Sequence, residues 1–129
     1  MSKQILKALG AETTAGQGST ISIGNADQVE VTVRVTAGSG TVTTFRVYLE
    51  ESNDGTNWFE VAMDLVMKGG LAAPGAATPN QRDIVNETAV QTSAKYVGKA
   101  MGMAPAIRAA WAIAGTTPSE TFEVLAEAK

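Results

Sequence analysis

The residues that could do chemistry in this chain are a pair of carboxylates and a cluster of oxygen-bearing side chains that follows it. Glu50 and Glu51 could serve as general acid and base, but neighbours in a strand point to opposite faces and cannot share one substrate. The cluster at 53–57 (Asn-Asp-Gly-Thr-Asn) offers oxygen ligands for calcium. A calcium loop of the EF-hand type would need Glu where this chain has Asp64. We therefore interpret the cluster as a turn and predict no catalytic and no metal-binding residue.

The residue types that are missing exclude many catalytic mechanisms. Among the 129 residues there is no His and no Cys, which excludes Ser–His and Cys–His catalysis, imidazole or thiolate metal sites, and disulfides. We therefore expect a protein that is not an enzyme and holds no cofactor. The 10 basic and 13 acidic residues give a formal net charge of −3, and the basic ones are dispersed, so we expect no nucleic-acid partner. No stretch approaches the roughly 18 consecutive apolar residues of a membrane helix, and we expect no membrane partner.

Alternation of apolar and polar residues indicates strands along most of the chain. Val29–Thr36 places four valines on one face and polar side chains on the other, which is the period of a strand with one face in a core. A Gly-containing loop joins it to a second strand over 41–50, as in an antiparallel hairpin. Ser52–Gly55 is the strongest turn signal, and a third strand follows it. That third strand is expected to place Phe59, Val61 and Met63 on one side and Trp58 on the other.

The end of the chain continues the pattern of short strands. Residues 106–114 include five alanines and could form a helix by propensity. We favour a strand there, because apolar residues alternate and turn signals bound the segment closely. A last strand is predicted over 121–126. Seven to nine short strands with turns between them predict an all-β fold, an antiparallel sandwich or barrel of the jelly-roll-like kind.

The first part of the chain, residues 1–19, is predicted to be an extended N-terminal arm with a flexible link. Ile5, Leu6 and Leu9 share one face at helical spacing, so a helical turn could form there when docked on a partner. The alternative interpretation is a frayed terminus. Gly16–Ser19 favours a mobile link between the arm and the body of the protein.

The sandwich domain, residues 20–129, is predicted to contain a long loop over 68–80 that is rich in Gly and Pro. A loop of that length in a small domain is usually functional or disordered, and Leu71 is the large apolar residue in it. Tyr48 and Trp58 are a second candidate contact, either as a sugar-stacking surface or as core or interface packing. Both interpretations of the two aromatic residues stay open at this point.

Two segments carry a resemblance to known families. In Val47–Trp58 a strand runs into Ser-x-Asp-Gly-x-x-Trp and the Trp opens the next strand. This segment resembles a hairpin of discoidin-like carbohydrate- and lipid-binding sandwiches, and also a hairpin of small structural proteins of tailed bacteriophages. Ser93–Val97 is similar to a strand that follows in the same families, although the arginine expected after Tyr96 is absent. Discoidin-type domains tend to carry a terminal disulfide, which a chain without Cys cannot form.

The phage resemblance implies a structural role in a virion. Small size and richness in Ala, Gly, Thr and Val fit a capsid decoration, or head-stabilising, protein that binds the major capsid protein or another virion protein. Such a protein would be made in the host cytoplasm and would self-associate, with a trimer favoured, so that several weak contacts hold it to the lattice. The alternatives are a carbohydrate-binding adhesion module, or a tail, neck or baseplate component.

Overall fold

The computed structural model describes residues 3–68, 71–72, 78–101 and 103–129 of the chain. Within these ranges the regular elements are all strands. In chain order they are β1 (Gln4–Glu12), β2 (Gly16–Gln17), β3 (Ile21–Ser22), β4 (Gln28–Ser52), β5 (Phe59–Glu60), β6 (Met63–Lys68), β7 (Leu71–Ala72), β8 (Thr78–Gln81), β9 (Asp83–Glu87), β10 (Ala94–Met101) and β11 (Ala106–Ala128). No helix capable of crossing a membrane occurs in the described ranges.

Two long strands, β4 and β11, form an antiparallel ribbon that organises the fold. They pair along most of their length, with Val29 opposite Ala128 at one end. The four valines predicted to face inward at the start of β4 are all buried. The predicted strand over 106–114 is confirmed as the first part of β11, and the one over 121–126 is the last part of the same strand. The alternation of apolar and polar residues therefore predicted correctly, in both β4 and β11, that these segments are strands and which side chains face the core.

The ribbon bends near its middle, and its two halves face each other. The pairing register shifts at three places around the bend. Gly40 has a φ of 77°, and a Cβ there would lie 2.0 Å from the carbonyl oxygen of Thr117, so only glycine fits. Across the interior, the Phe122 ring centroid lies 5.3 Å from that of Phe45 and 5.7 Å from that of Trp111. Aromatic contacts between the halves therefore form the centre of the core.

Shorter strands widen each half of the ribbon into one layer of a sandwich. The first half (28–38 with 119–128) carries β1 beside β11 and β10 beside β4, with β6, β7 and β8 beyond β10. The second half (41–52 with 106–116) carries β2 and β3 beside β11, and β5 and β9 beside β4. Across the described ranges the sheet does not close into a barrel. The all-β antiparallel fold is confirmed, in its sandwich form.

Residues 3–19 are built into the sandwich, which differs from the predicted arm. Residues 4–12 are a strand and not a helical turn, because the open side of β11 offers them backbone partners. The Leu6 side chain is buried in the core. Its carbonyl oxygen accepts a hydrogen bond from the backbone N–H of Ser19 at 2.9 Å. A Cβ on Gly18 would lie 2.0 Å from that oxygen, so this glycine permits a close approach and does not serve as a flexible link.

The segment predicted as a loop over 68–80 contains two short strands where it is described. Leu71–Ala72 and Thr78–Gln81 both pair with β6. Residues 69–70 and 73–77 lie outside the described residues, and so does the side chain of Leu71. The Gly- and Pro-rich composition argues against a long element, but the far side of β6 can still pair with strands of 2 and 4 residues.

Candidate interaction surfaces

The strand at one side of the sheet, β1, exposes two large aliphatic side chains. Ile5 is 59% exposed and Leu9 is 50% exposed, whereas Leu6 is fully buried. The pairing of β1 with β11 is irregular on both sides of Lys7, and such bulges interrupt the simple alternation of side chains. We call Ile5 and Leu9 the β1 edge. It places two uncovered apolar side chains on an outermost strand.

Lys7 lies between the two residues of the β1 edge in the chain, and its ammonium group is buried in the protein. Nζ donates hydrogen bonds to the carbonyl oxygens of Ala8 at 3.1 Å, Gly10 at 3.1 Å and Phe122 at 3.0 Å. It also lies 3.5 Å from Oε2 of Glu12 and 4.3 Å from the centroid of the Phe122 ring. Burial lowers the pKa of Lys7, and the Glu12 carboxylate opposes that shift. These contacts tie the bulged part of β1 to β11 and hold the β1 edge in place.

An open cavity of about 460 Å³ lies between β1 and residues 17–19. Its lining includes Lys7, Glu12 and Trp111. The indole N–H of Trp111 is buried and has no hydrogen-bond partner within the described part of the chain. Ile5 and Leu9 are not among the residues that line this cavity, so it is a feature separate from the β1 edge.

The second half of the ribbon presents aromatic side chains on its outer surface. Arg108 and Glu50 lie opposite each other in β11 and β4, and Nε of Arg108 donates to Oε1 of Glu50 at 2.8 Å. The same guanidinium lies over the Trp58 ring, with Cζ 4.1 Å from the ring centroid. Tyr48 lies two residues before Glu50, on the same face of β4, and Cζ of Arg46 lies 4.7 Å from its ring centroid. We call these five residues the outer face.

Arg46, the second arginine of the outer face, is paired with two carboxylates. Arg46 donates to Oδ1 of Asp83 through Nη2 at 2.6 Å and through Nε at 3.0 Å. Its Nη2 also reaches Oε1 of Glu60 at 3.1 Å. These carboxylates, Asp83 above all, raise the pKa of Arg46. Partial burial and the nearby Glu50 carboxylate raise the pKa of Tyr48. The charged groups of the outer face are thus paired within the chain.

The turn that leads to Trp58 is held by one carboxylate. Oδ1 of Asp54 accepts hydrogen bonds from the backbone N–H groups of Thr56 and Asn57, both at 2.8 Å. Its Oδ2 accepts from the Asn57 side-chain amide at 2.8 Å, and Gly55 adopts a φ of 76°. These bonds hold the pKa of Asp54 well below its usual range. The predicted turn chemistry is confirmed, since both carboxylate oxygens of Asp54 accept bonds from the turn itself.

The residues predicted to contact a partner fall into two separate groups. Tyr48 and Trp58 share the outer face of the second half, and each ring has an arginine over it. Ile5 and Leu9 share the β1 edge on the first half. Leu6 is not available to a partner, because the bulged strand turns it into the core. The helical spacing that grouped the three aliphatic residues does not describe their arrangement in the strand.

Phe59, next to the outer face, and Arg108, within it, were not among the residues predicted to contact a partner. Phe59 was predicted to share one side of a strand with Val61 and Met63, which are buried, but it is itself 66% exposed. The chain leaves the strand after Glu60, so the alternation does not continue through this segment. Arg108 occupies a polar position in the alternation of a predicted strand, which indicated that its side chain would face away from the core. Its stacking on a residue fifty positions earlier depends on the register of the ribbon.

The chain is similar in structure to a protein of prophage origin. The crystal structure of the SPBc2 prophage-derived protein YomS superposes on it with a TM-score of 0.49 and 8% sequence identity, over 98% of this chain and 92% of that chain. No family model and no curated protein matches the sequence. The function is therefore inferred from the surfaces of this chain.

Proposed function

We propose that this protein is a structural protein of a bacteriophage particle, and specifically a capsid decoration protein that stabilises the head by binding the outer lattice of the major capsid protein. The observation that carries the proposal is the β1 edge. Soluble β proteins usually blunt an outermost strand with charges, prolines or bulges. Here β1 is bulged, but its exposed positions hold Ile5 and Leu9 at 59% and 50% exposure.

The anchoring of the β1 edge supports a binding role. The ammonium group of Lys7 bonds three backbone carbonyl oxygens, so the edge is fixed before a partner arrives. A preorganised contact loses little conformational entropy on binding. A trimer of the protein would present three such edges, and contacts that are weak singly would add up on a repeating lattice.

The proposal includes no catalytic step and no cofactor. The described residues hold no group of three or more Asp or Glu side chains that could bind a metal ion. The carboxylates of the outer face are engaged by arginines. The protein is proposed to act in the virion, after synthesis in the host cytoplasm. A place in the tail, neck or baseplate would use the same β1 edge on a different lattice.

A double substitution tests the proposal better than removal of the N-terminal segment, which would also remove Leu6 and Lys7 from the core. Ile5→Lys with Leu9→Lys should weaken co-sedimentation with capsids that lack this protein by at least about tenfold, equivalent to about 1.4 kcal/mol. Met101→Lys is the matched control, since Met101 is apolar and 73% exposed on another strand. Equal binding of the double variant and the control would overturn the role of the edge.

A carbohydrate-binding adhesion module is the second candidate, favoured by the placement of Tyr48 and Trp58 on one outer surface. Aromatic rings flanked by paired arginines and carboxylates offer both stacking area and hydrogen-bonding groups to a sugar. A glycan array with the wild-type protein and Trp58→Ala separates the two candidates. Glycan binding that Trp58→Ala abolishes would support the module. A blank array together with capsid binding would support decoration.

A further inference from the structure

A carboxyl group is buried at the bend of the ribbon. Glu120 in β11 pairs with Gly38 in β4, and it is completely buried. Its Oε1 accepts a hydrogen bond from the backbone N–H of Gln91 at 2.8 Å. Its Oε2 is buried with no hydrogen-bond partner in the described part of the chain. Glu120 is therefore a buried acid with half of its hydrogen-bonding capacity unused.

The groups packed around Glu120 do not compensate a negative charge. Tyr96 in β10 lies nearby, and its hydroxyl donates to Oε1 of Gln91 at 3.3 Å. Glu87, at the end of β9, acts on Tyr96 as a further negative charge, as Glu120 does. None of the ion pairs found in the described ranges includes Glu120. From β1, Glu12 lies opposite Glu120 in the register, and its Oε2 is 3.5 Å from Nζ of Lys7. Burial and the Gln91 N–H, and no cation, act on the pKa of Glu120, so an ionised Glu120 would have no positive charge to compensate it.

The segment that covers Glu120 is packed closely on the bend. A Cβ on Gly38 would lie 2.2 Å from the carbonyl oxygen of Gln91 and 2.7 Å from Oε2 of Glu120. Residues 88–93, which connect β9 to β10, therefore seal the carboxyl group from water through Gln91. Ionising a buried and unpaired carboxylate is costly, and the cost falls when water reaches the group. Displacement of this connection is the simplest way for water to enter.

We propose that Glu120 is a buried proton-binding site, neutral in the closed protein, and that loss of its proton to water is coupled to displacement of residues 88–93 from the bend. The connection then opens more often as the pH rises. Burial raises the pKa of Glu120, and the Gln91 N–H opposes that shift only in part. A raised pKa in the folded state means that its stabilising contribution is complete below the unfolded-state value of about 4.3 and declines as the pH rises through the folded-state value.

Two measurements on the full-length protein test the proposal. The first follows the side-chain carboxyl carbon of Glu120 by ¹³C NMR as the pH is raised, and it should titrate well above the ordinary glutamate value of about 4.3. The second follows hydrogen exchange at the Gln91 amide, corrected for the intrinsic base-catalysed rate. Protection there should fall with pH by up to about tenfold per pH unit, the limit set by one proton. The NMR titration needs no variant, so it stands even if a substitution disturbs folding.

Glu120→Gln keeps an acceptor for the Gln91 N–H but cannot ionise, so its corrected exchange at Gln91 should not depend on pH. Glu123→Gln is the matched control: it lies in the same strand, where Glu123 pairs with Arg34 at 2.9 Å, and it should behave as the wild type. Titration of Glu120 near 4.3, as for an ordinary glutamate, would overturn the proposal. The same pH dependence in Glu120→Gln as in the wild type would also overturn it.

Discussion

The side chains of the β1 edge are exposed, whereas those of the outer face are half-buried and make contacts with one another. On the outer face, Arg108 lies over Trp58 and bonds Glu50, and Arg46 lies over Tyr48. Each arginine occupies one face of an aromatic ring and pairs with a carboxylate. On the β1 edge the two aliphatic side chains have no such cover.

The difference shows how to separate a self-sufficient surface from one suited to a partner. Aromatic and arginine residues are common in binding hot spots, so composition alone would favour the outer face. The observed contacts favour the β1 edge instead, because a partner of the outer face would first have to displace ion pairs already made within the chain. Covering the β1 edge removes apolar area from water and breaks no existing bond. We therefore propose that a partner binds at the β1 edge and not at the outer face.

The largest expected effect is a difference in the free energy of unfolding between substitutions on the buried side and on the exposed side of β1. Leu6→Ala should reduce the free energy of unfolding by about 2–5 kcal/mol, because it leaves a cavity in the core. Ile5→Ala, one residue away and exposed, should change it by less than about 0.5 kcal/mol. Urea unfolding of the two variants measures both values. Similar losses in the two would show that β1 does not have the buried and exposed sides described.

An intermediate effect is expected on the outer face. Trp58→Ala removes the ring beneath Arg108 and should cost about 0.5–1 kcal/mol of stability, the range for a cation–π contact near the surface. It should leave capsid binding unchanged, in contrast to substitutions at the β1 edge. Phe59→Ala serves as the control, since that ring is exposed. Loss of capsid binding in Trp58→Ala would show that the capsid contact lies on the outer face and not on the β1 edge.

The smallest expected effect concerns the turn that positions Trp58. The folded-state pKa of Asp54 lies below its unfolded value of about 3.9. Its contribution to stability is therefore present above that value and is lost as the pH falls toward the folded-state pKa. Asp54→Asn should show a smaller decrease in melting temperature between pH 5 and pH 2, to be measured by circular dichroism. Asn53→Ala, at the adjacent exposed position, should retain the decrease of the wild type.

Most of the fold could be predicted from the sequence because the signals are local. Four valines at period 2 predicted the start of β4, and alternation within 106–114 correctly outweighed the helix propensity of five alanines. The turn at Asp54 was predicted because Asx and Gly residues make their bonds within a few positions of each other. In each of these cases the stabilising contacts lie near in sequence, or repeat along a strand.

The candidate surfaces could be predicted only in part, because they depend on contacts far apart in the chain. Ile5, Leu6 and Leu9 fit helical spacing, and a bulged strand breaks the alternation that would have identified them as strand. A bulge is fixed here by Lys7, whose burial requires the carbonyl of Phe122, 115 positions away. Likewise, the partner of Arg108 depends on the register of the ribbon. No local pattern contains this information.

The most direct test of the proposed function is a cryo-electron microscopy reconstruction of capsids incubated with the purified protein. If the protein decorates the capsid, we expect added density on the outer lattice at symmetry-related positions. The β1 edge of each copy should lie against the capsid protein, and the outer face should point toward solvent. Capsids that gain no density would contradict the proposed decoration role. Density in which the β1 edge points to solvent would contradict the assignment of binding to that edge.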